Sequence, residues 1–174
     1  DTTLPEGTTK EDFDKDSVLS RFDHQLKSSG INTNHTLNPD FSWSTTDISQ
    51  IKNYHQLDKY ILFFPFCSPH LTSKKWPYYN ELITMINEKS DNKFKVVIAP
   101  GPSEIKEASN INALCVLDNG KALDISQLAT LIKDSSFVIA NDTGPAHMTA
   151  HLGSKGIALF LSLIHISEPT RQSL

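Results

Sequence analysis

The fold is decided by residues 136–153, which read Ser-Phe-Val-Ile-Ala-Asn-Asp-Thr-Gly-Pro-Ala-His-Met-Thr-Ala-His-Leu-Gly. Residues 137–140 form an apolar run that is long enough for one buried strand. The polar residues that follow at once indicate a tight turn. Residues 146–152 have the composition of a helix, and Gly153 is placed to end it. The stretch therefore predicts a strand, a turn and a helix in direct succession.

The turn of this unit has the properties of an anion-binding site. Asp142 or Thr143 can cap the helix, and Pro145 suits its first turn. A helix that begins here directs backbone N–H groups and the positive end of its dipole toward an incoming anion. Gly144 places no side chain between the backbone and that anion. Asp142, Thr143 and Gly144 would also form an ordinary capped turn in any α/β protein.

Strands and helices alternate along the preceding hundred residues. Apolar runs predict further strands at residues 60–64, 94–99, 113–117 and 157–160. Helical spacing or composition marks residues 76–86, 103–110 and 128–132, and Asp124 or Ser126 can cap the last of these helices. This alternation predicts βαβ units and a parallel sheet, hence an α/β fold. Ligands bind such sheets at the carboxyl ends of the strands, where loops 65–75 and 141–147 should lie.

The first part of the chain has a different character. Residues 1–16 are charged and have no apolar period, so we expect a flexible lead-in. Residues 17–29 have one apolar helix face, and Gly30 is placed to end that helix. We therefore divide the chain into a lead-in, helix and connector at 1–58, an α/β domain at 59–160, and a tail at 161–174.

Composition excludes several classes of function. The formal charge of −4 and the isoelectric point near 5.9 argue against nucleic acid as a partner. No run of 18 apolar residues suggests a membrane span. Neither a G-x-G-x-x-G motif nor a P-loop is present, so dinucleotide binding and ATP hydrolysis lack their motifs. Cys67 and Cys115 lie within apolar runs, and we expect a reduced, cytoplasmic protein.

Three stretches resemble glycosyltransferase family 9, the family of the ADP-heptose:lipopolysaccharide heptosyltransferases. The first is Asp-Thr-Gly-Pro-Ala-His at 142–147, followed by a small-residue helix and Gly153. The second is the strand and loop at 61–68 with Ser-Lys-Lys-Trp-Pro at 73–77, which places Lys74 at the family's lysine position. Here Phe64 replaces the family's usual histidine and Phe66 its glycine, which puts backbone contacts from this loop in question.

The third similar stretch is Val-Val-Ile-Ala-Pro-Gly-Pro-Ser-Glu at 96–104. In the family an acidic side chain near this turn binds the ribose or base of the donor, and Glu104 is the matching candidate. The resemblance runs from about residue 59 to residue 160. It implies a Rossmann-like parallel sheet with flanking helices, similar to the C-terminal half of a two-domain GT-B glycosyltransferase.

The resemblance implies the donor-binding half of an enzyme that transfers a sugar from a nucleotide diphosphate to a lipopolysaccharide-type acceptor. Its donor would be a nucleotide sugar such as ADP-heptose, bound by Lys74, Glu104, Asp142, Thr143, Gly144, Pro145, Ala146 and His147. The catalytic base and the acceptor surface would belong to an N-terminal domain, of which almost nothing is recognisable here. The resemblance implies no metal and no cofactor, and it is consistent with peripheral association at the cytoplasmic face of the inner membrane.

Other interpretations remain open. A non-catalytic nucleotide-binding module or a plain α/β interaction domain would have the same pattern of strands and helices. His147 and His151 have the spacing of a zinc pair, but no metalloprotease signature accompanies them. Residues 161–174 do not continue the family pattern, and we expect them to be a foreign, poorly ordered tail.

Overall fold

The computed structural model describes residues 4–34 and 40–160. The chain divides into two compact units, residues 1–40 and residues 41–174. The expected foreign tail at 161–174 lies outside the described residues.

The first unit contains two helices, α1 (Lys10–Phe13) and α2 (Val18–Ser28). Helix α2 begins at the N-cap Ser17 and is followed by Gly30 in the left-handed region at φ +73°, as expected from the sequence. Helix α1 differs from the expected flexible lead-in. The Thr9 hydroxyl oxygen accepts the Asp12 N–H and Phe13 is buried, so one cap and one apolar anchor stabilise a single helical turn.

The second unit contains a five-stranded sheet in the order β3-β2-β1-β4-β5, and all four strand pairs are parallel. The α/β prediction is therefore confirmed. Each predicted strand is present, although β3 has only two residues. The strands are β1 (Tyr60–Phe64), β2 (Lys95–Ile98), β3 (Leu114–Cys115), β4 (Phe137–Asn141) and β5 (Gly156–Leu159).

Helices precede and connect these strands. They are α3 (Ser49–His55), α4 (Tyr79–Lys89), α5 (Ile105–Ala108), α6 (Ile125–Lys133) and α7 (Gly144–His151), with short 3₁₀ helices at Ser42–Ser44 and Pro69–Lys74. Of the two possible caps of α6, Asp124 is the N-cap, and it forms a capping box with Gln127. Thr143 occupies the N-cap position of α7.

The sheet is buried on both faces, which explains the nearly continuous apolar runs in its central strands. On one face Leu62 and Phe64 pack with apolar residues of α3, α6 and α7. On the other face Phe63 packs with Tyr79 and Ile83 of α4. Within residues 4–34 and 40–160, no helix combines the length and the apolar composition needed to cross a bilayer.

Candidate functional site

A cavity of about 430 Å³ lies at the carboxyl edge of the sheet, next to the ends of β1, β2 and β4. Its walls come from the loops after these strands and from the first turns of α6 and α7. They consist of Phe64, Phe66, Cys67, Ser68, Lys74, Ala99, Pro100, Gly101, Glu104, Leu123, Leu128, Asp142, Thr143, Gly144 and Pro145. The two loops expected at this edge therefore meet at one cavity, as parallel strand order requires.

The first turn of α7 forms one wall. The Asp142 N–H donates to the Leu159 carbonyl at 3.2 Å, which extends the β4–β5 ladder to the base of the turn. Pro145 has no N–H, and the Ala146 N–H donates to the Thr143 carbonyl at 3.0 Å. The N–H groups of Thr143 and Gly144 are therefore the donors of this first turn that have no acceptor within the helix. A Cβ on Gly144 would meet no protein atom within 4 Å, so this residue borders open space. The wall thus offers backbone donors and the positive end of a helix dipole.

Lys74 supplies the cationic group of the cavity. It ends the 3₁₀ helix Pro69–Lys74, and its Nζ lies 2.6 Å from Oδ2 of Asp142. The two side chains are 27% and 21% exposed, so water and a ligand can still reach the pair. The neighbouring Lys75 takes a different path: it pairs with Glu107 and stands over the Phe66 ring, 5.9 Å from its centroid. Only the first of these two lysines lines the cavity.

Glu104 closes the turn after β2. Its Oε2 accepts the Gly101 N–H at 2.7 Å, and both residues line the cavity. The carboxylate is therefore held at the cavity wall by a charge-assisted hydrogen bond. This position agrees with the sequence expectation that an acidic group follows the second strand at the ligand edge.

The remaining walls are largely apolar. Phe64 and Phe66, the two positions at which the sequence departs from the resemblance, are each 4% exposed and belong to the two cores that flank the sheet. The Phe66 side chain therefore packs into the protein and does not fill the cavity. Leu123 and Leu128 also line the cavity; both are half-buried, and the sequence does not indicate them as site residues. A ligand with an anionic part and a flat apolar part fits these walls.

Asn141 is a second residue whose role the sequence did not reveal. Its side chain is fully buried beneath the cavity and hydrogen-bonds to the loop after β1 and to the start of α4. Its partners are a tyrosine hydroxyl and backbone groups 62 to 76 positions away in the chain. The only feature of the sequence that points to this role is the position of a polar residue, Asn141, at the end of a buried strand.

The structure brings most of the predicted site residues together. Lys74, Glu104, Asp142, Thr143, Gly144 and Pro145 all line the cavity. Ala146 and His147 do not: Ala146 packs against the core, and His147 is exposed. The proposed contact of these two residues with a donor stays a prediction.

Comparisons with known proteins agree with this geometry. The family model described as glycosyltransferase family 9 (heptosyltransferase) matches residues 9–166. A family 9 glycosyltransferase from Veillonella parvula DSM 2008 has a similar structure, with 19% identity, 87% of this chain and 46% of that chain covered, and a TM-score of 0.64. No curated protein sequence matches the chain.

Two solved structures of the E. coli heptosyltransferase WaaC are also similar. The one with ADP-2-deoxy-2-fluoro heptose has 20% identity and a TM-score of 0.55, and the one with ADP has 21% identity and a TM-score of 0.53. In both, 83% of this chain and 45% of that chain are covered. The chain therefore spans less than half the length of these neighbours. At these identities the likeness establishes a shared fold.

Proposed function

We propose that this chain, which belongs to glycosyltransferase family 9 (heptosyltransferase), binds the nucleotide-diphosphate sugar that donates the sugar in a glycosyl transfer reaction. The observation that carries the proposal is one cavity, lined by Lys74, Glu104 and the first turn of α7. A cation and a helix N-terminus are the protein groups best suited to a diphosphate. The Leu123 and Leu128 side of the cavity is suited to the flat face of a nucleobase.

The proposed chemistry follows from the charge that the leaving group gains. When the sugar–oxygen bond breaks, its electron pair stays on the diphosphate, which becomes more negative. Fixed N–H donors at Thr143 and Gly144 and the Lys74 ammonium would interact more strongly with that charge than with the intact donor. The acceptor hydroxyl has to lose a proton to a base, which we assign to a facing domain of the whole enzyme.

The ion pair between Lys74 and Asp142 has to rearrange when a diphosphate binds in the cavity. The Asp142 carboxylate is the counter-ion of the Lys74 ammonium, at 2.6 Å. A diphosphate has to share or replace that carboxylate, and both side chains are exposed enough to move. We propose that Asp142 holds Lys74 in the cavity until the anionic ligand takes over the ammonium.

The donor and acceptor are assigned by analogy with the relatives. WaaC has been solved with ADP and with an ADP-heptose analogue, so ADP-heptose is the donor that we propose here. A lipopolysaccharide core is the proposed acceptor, reached through the facing domain at the cytoplasmic face of the inner membrane.

Calorimetric titration of the purified chain with ADP tests the proposal. We expect saturable binding of ADP, weaker binding of AMP because one phosphate is missing, and no binding of adenosine at the same concentration. Flat titrations with ADP, GDP and UDP would contradict the proposal and favour an interaction domain without a small ligand. Binding by this chain together with a full-length version that never transfers sugar would indicate a non-catalytic nucleotide-binding module.

A further inference from the structure

The buried side chain of Asn141 uses all of its hydrogen-bonding capacity. A carboxamide carries two N–H donors and an oxygen with two lone pairs. The Nδ2 group donates to the Pro65 carbonyl at 2.9 Å and lies 3.5 Å from the Phe66 carbonyl. The Oδ1 atom accepts the Trp76 N–H at 3.3 Å and the Tyr79 hydroxyl at 3.1 Å. A buried amide that is satisfied on both sides fixes its partners in space.

These partners lie at the two ends of one loop. Residues 65 and 66 precede the segment 67–75, and Trp76 follows it. That segment carries Lys74, whose ammonium reaches Asp142. Asp142, the acid of the ion pair, directly follows Asn141 in the chain. The Asn141 side chain holds the loop that contains Lys74, the cation of the pair. Asn141 therefore connects both partners of the ion pair.

We infer that Asn141 is a positioning residue: its carboxamide sets the spacing between loop 67–75 and the turn at 142–145, and so the place of Lys74 in the cavity. The inference rests on the proposed function for the identity of the ligand, but the positioning of the loop can be tested without any ligand. A purely structural amide would contribute to stability and leave the loop and the ligand affinity of the folded protein unchanged.

Asn141→Asp is the informative variant because it keeps the shape of the side chain. An ionised carboxylate cannot donate to the Pro65 carbonyl, and the carbonyl oxygens of Pro65 and Phe66 disfavour its charge. A protonated carboxyl restores one donor and one acceptor. The charged and titratable groups around it are Tyr79 on α4, with Asp142 and Lys74 at the cavity. Because the phosphate groups of ADP also change protonation near neutral pH, the affinity of the variant is compared with that of the parent at each pH.

Tyr60→Phe is the matched control. It also removes a buried hydrogen bond, from the Tyr60 hydroxyl to the Leu131 carbonyl at 2.7 Å, but at the first residue of β1 and therefore at the opposite edge of the sheet. Any effect of general destabilisation should appear in this control as well. Tyr79→Phe, which removes only one of the four contacts of Asn141, serves as a milder second variant if Asn141→Asp does not fold.

The first measurement is limited tryptic digestion at pH 8, with cleavage after Lys74 and Lys75 followed by mass spectrometry. We expect cleavage in Asn141→Asp to be about 10-fold faster than in Tyr60→Phe, and in Tyr79→Phe to change in the same direction by less, because a lost buried contact frees the loop. Equal cleavage in the variants and the control, or faster cleavage spread over the whole chain, would overturn the inference.

The second measurement is ADP affinity between pH 5.5 and pH 8. We expect the ratio of the variant's Kd to the parent's to be about 10 at pH 8 and to fall toward 1 as the pH is lowered to 5.5, because burial beside two carbonyl oxygens favours the neutral carboxyl. A ratio near 1 at every pH would show that Asn141 does not position the ligand groups and would overturn the inference. If the parent itself fails to bind ADP, the proposed function fails, and the cleavage measurement still decides whether Asn141 positions the loop.

Discussion

Lys74 and Lys75 are adjacent in sequence but make different contacts, so the two lysines should differ in their effect on ligand binding. Lys74 faces Asp142 inside the cavity, whereas Lys75 pairs with Glu107 outside the cavity lining. Lys74→Ala should weaken ADP binding by roughly 1.5–3 kcal/mol, the scale of hydrogen bonds to charged groups. Calorimetry on both alanine variants measures this difference.

Lys75→Ala is the control for that experiment, because it removes the same charge from the same loop. We expect its ADP affinity to remain close to that of the parent. Equal losses in the two variants would mean that the effect is a general one of charge, and equal affinity of Lys74→Ala and the parent would remove Lys74 from the site.

Asp142→Asn should have the opposite effect on the affinity for ADP. The substitution removes a negative charge beside the diphosphate and releases the Lys74 ammonium from its present partner. Because the pair is partly exposed, we expect ADP binding to strengthen by no more than ~1 kcal/mol, with a smaller change at high salt. Titrations at two ionic strengths measure this change. Weaker binding in Asp142→Asn would show that the carboxylate itself contacts the ligand.

The residue scale also shows where sequence reasoning fails. Lys74 and Asp142 could be predicted as site residues because each lies in a local motif after a strand, but their ion pair joins positions 68 apart. Asn141 could not be assigned its role, because its partners are one hydroxyl and backbone groups that have no signature in sequence. Contacts to the backbone depend on where the chain passes, which only the folded structure defines.

At the scale of elements, the strand–turn–helix unit of β4 and α7 was predictable from its pattern. An apolar run and an abrupt change to turn residues determine it, and the strands β1, β2 and β5 follow from similar runs. Helix α1 was missed because a helix of four residues has no period to detect. Strand β3 is shorter than its apolar run because the Ala113 N–H bonds back to Ile111 and the Leu117 N–H donates to the His55 ring, although the Val116 N–H still donates to Ile98.

The first turn of α7 gives a prediction that separates binding from stability. A Cβ on Gly144 would meet no protein atom, and this residue does not require a left-handed backbone. Gly144→Ala should therefore leave the free energy of unfolding unchanged or raise it by about 0.4–1 kcal/mol. ADP affinity should fall by about 10-fold, because the methyl group occupies space that the diphosphate needs. Thermal melts and calorimetry measure the two effects.

Gly156→Ala, at the first residue of β5, provides the contrast. Its Cβ would lie 2.8 Å from the Val138 carbonyl oxygen and 3.0 Å from a methyl carbon of Thr149. Overpacking of this kind typically costs about 1–3 kcal/mol of stability. If Gly144→Ala destabilised the protein as Gly156→Ala does, the expected open space beside Gly144 would be contradicted. If Gly144→Ala bound ADP as well as the parent, the predicted close approach of the ligand to the helix N-terminus would be wrong.

At the scale of the whole molecule, the proposed donor site accounts for only one part of a glycosyl transfer reaction. The chain spans less than half the length of the solved structures that it matches. Within the part of the chain that the structure describes, the cavity at the carboxyl edge carries groups for a diphosphate. Sugar transfer also needs a base within hydrogen-bond reach of the acceptor hydroxyl, and a surface that holds the acceptor.

We therefore predict that this 174-residue chain binds ADP-heptose but does not transfer the sugar above background. Holding two reactants in place contributes perhaps 7–11 kcal/mol to lowering a barrier, and that contribution requires both binding surfaces. The test is to mix the chain with ADP-heptose and a lipid A–core acceptor and to follow the product by mass spectrometry. A full-length family 9 enzyme under the same conditions is the positive control. Catalytic transfer by the chain alone would show that its own residues supply the base and the acceptor surface, and would overturn the division of labour proposed here.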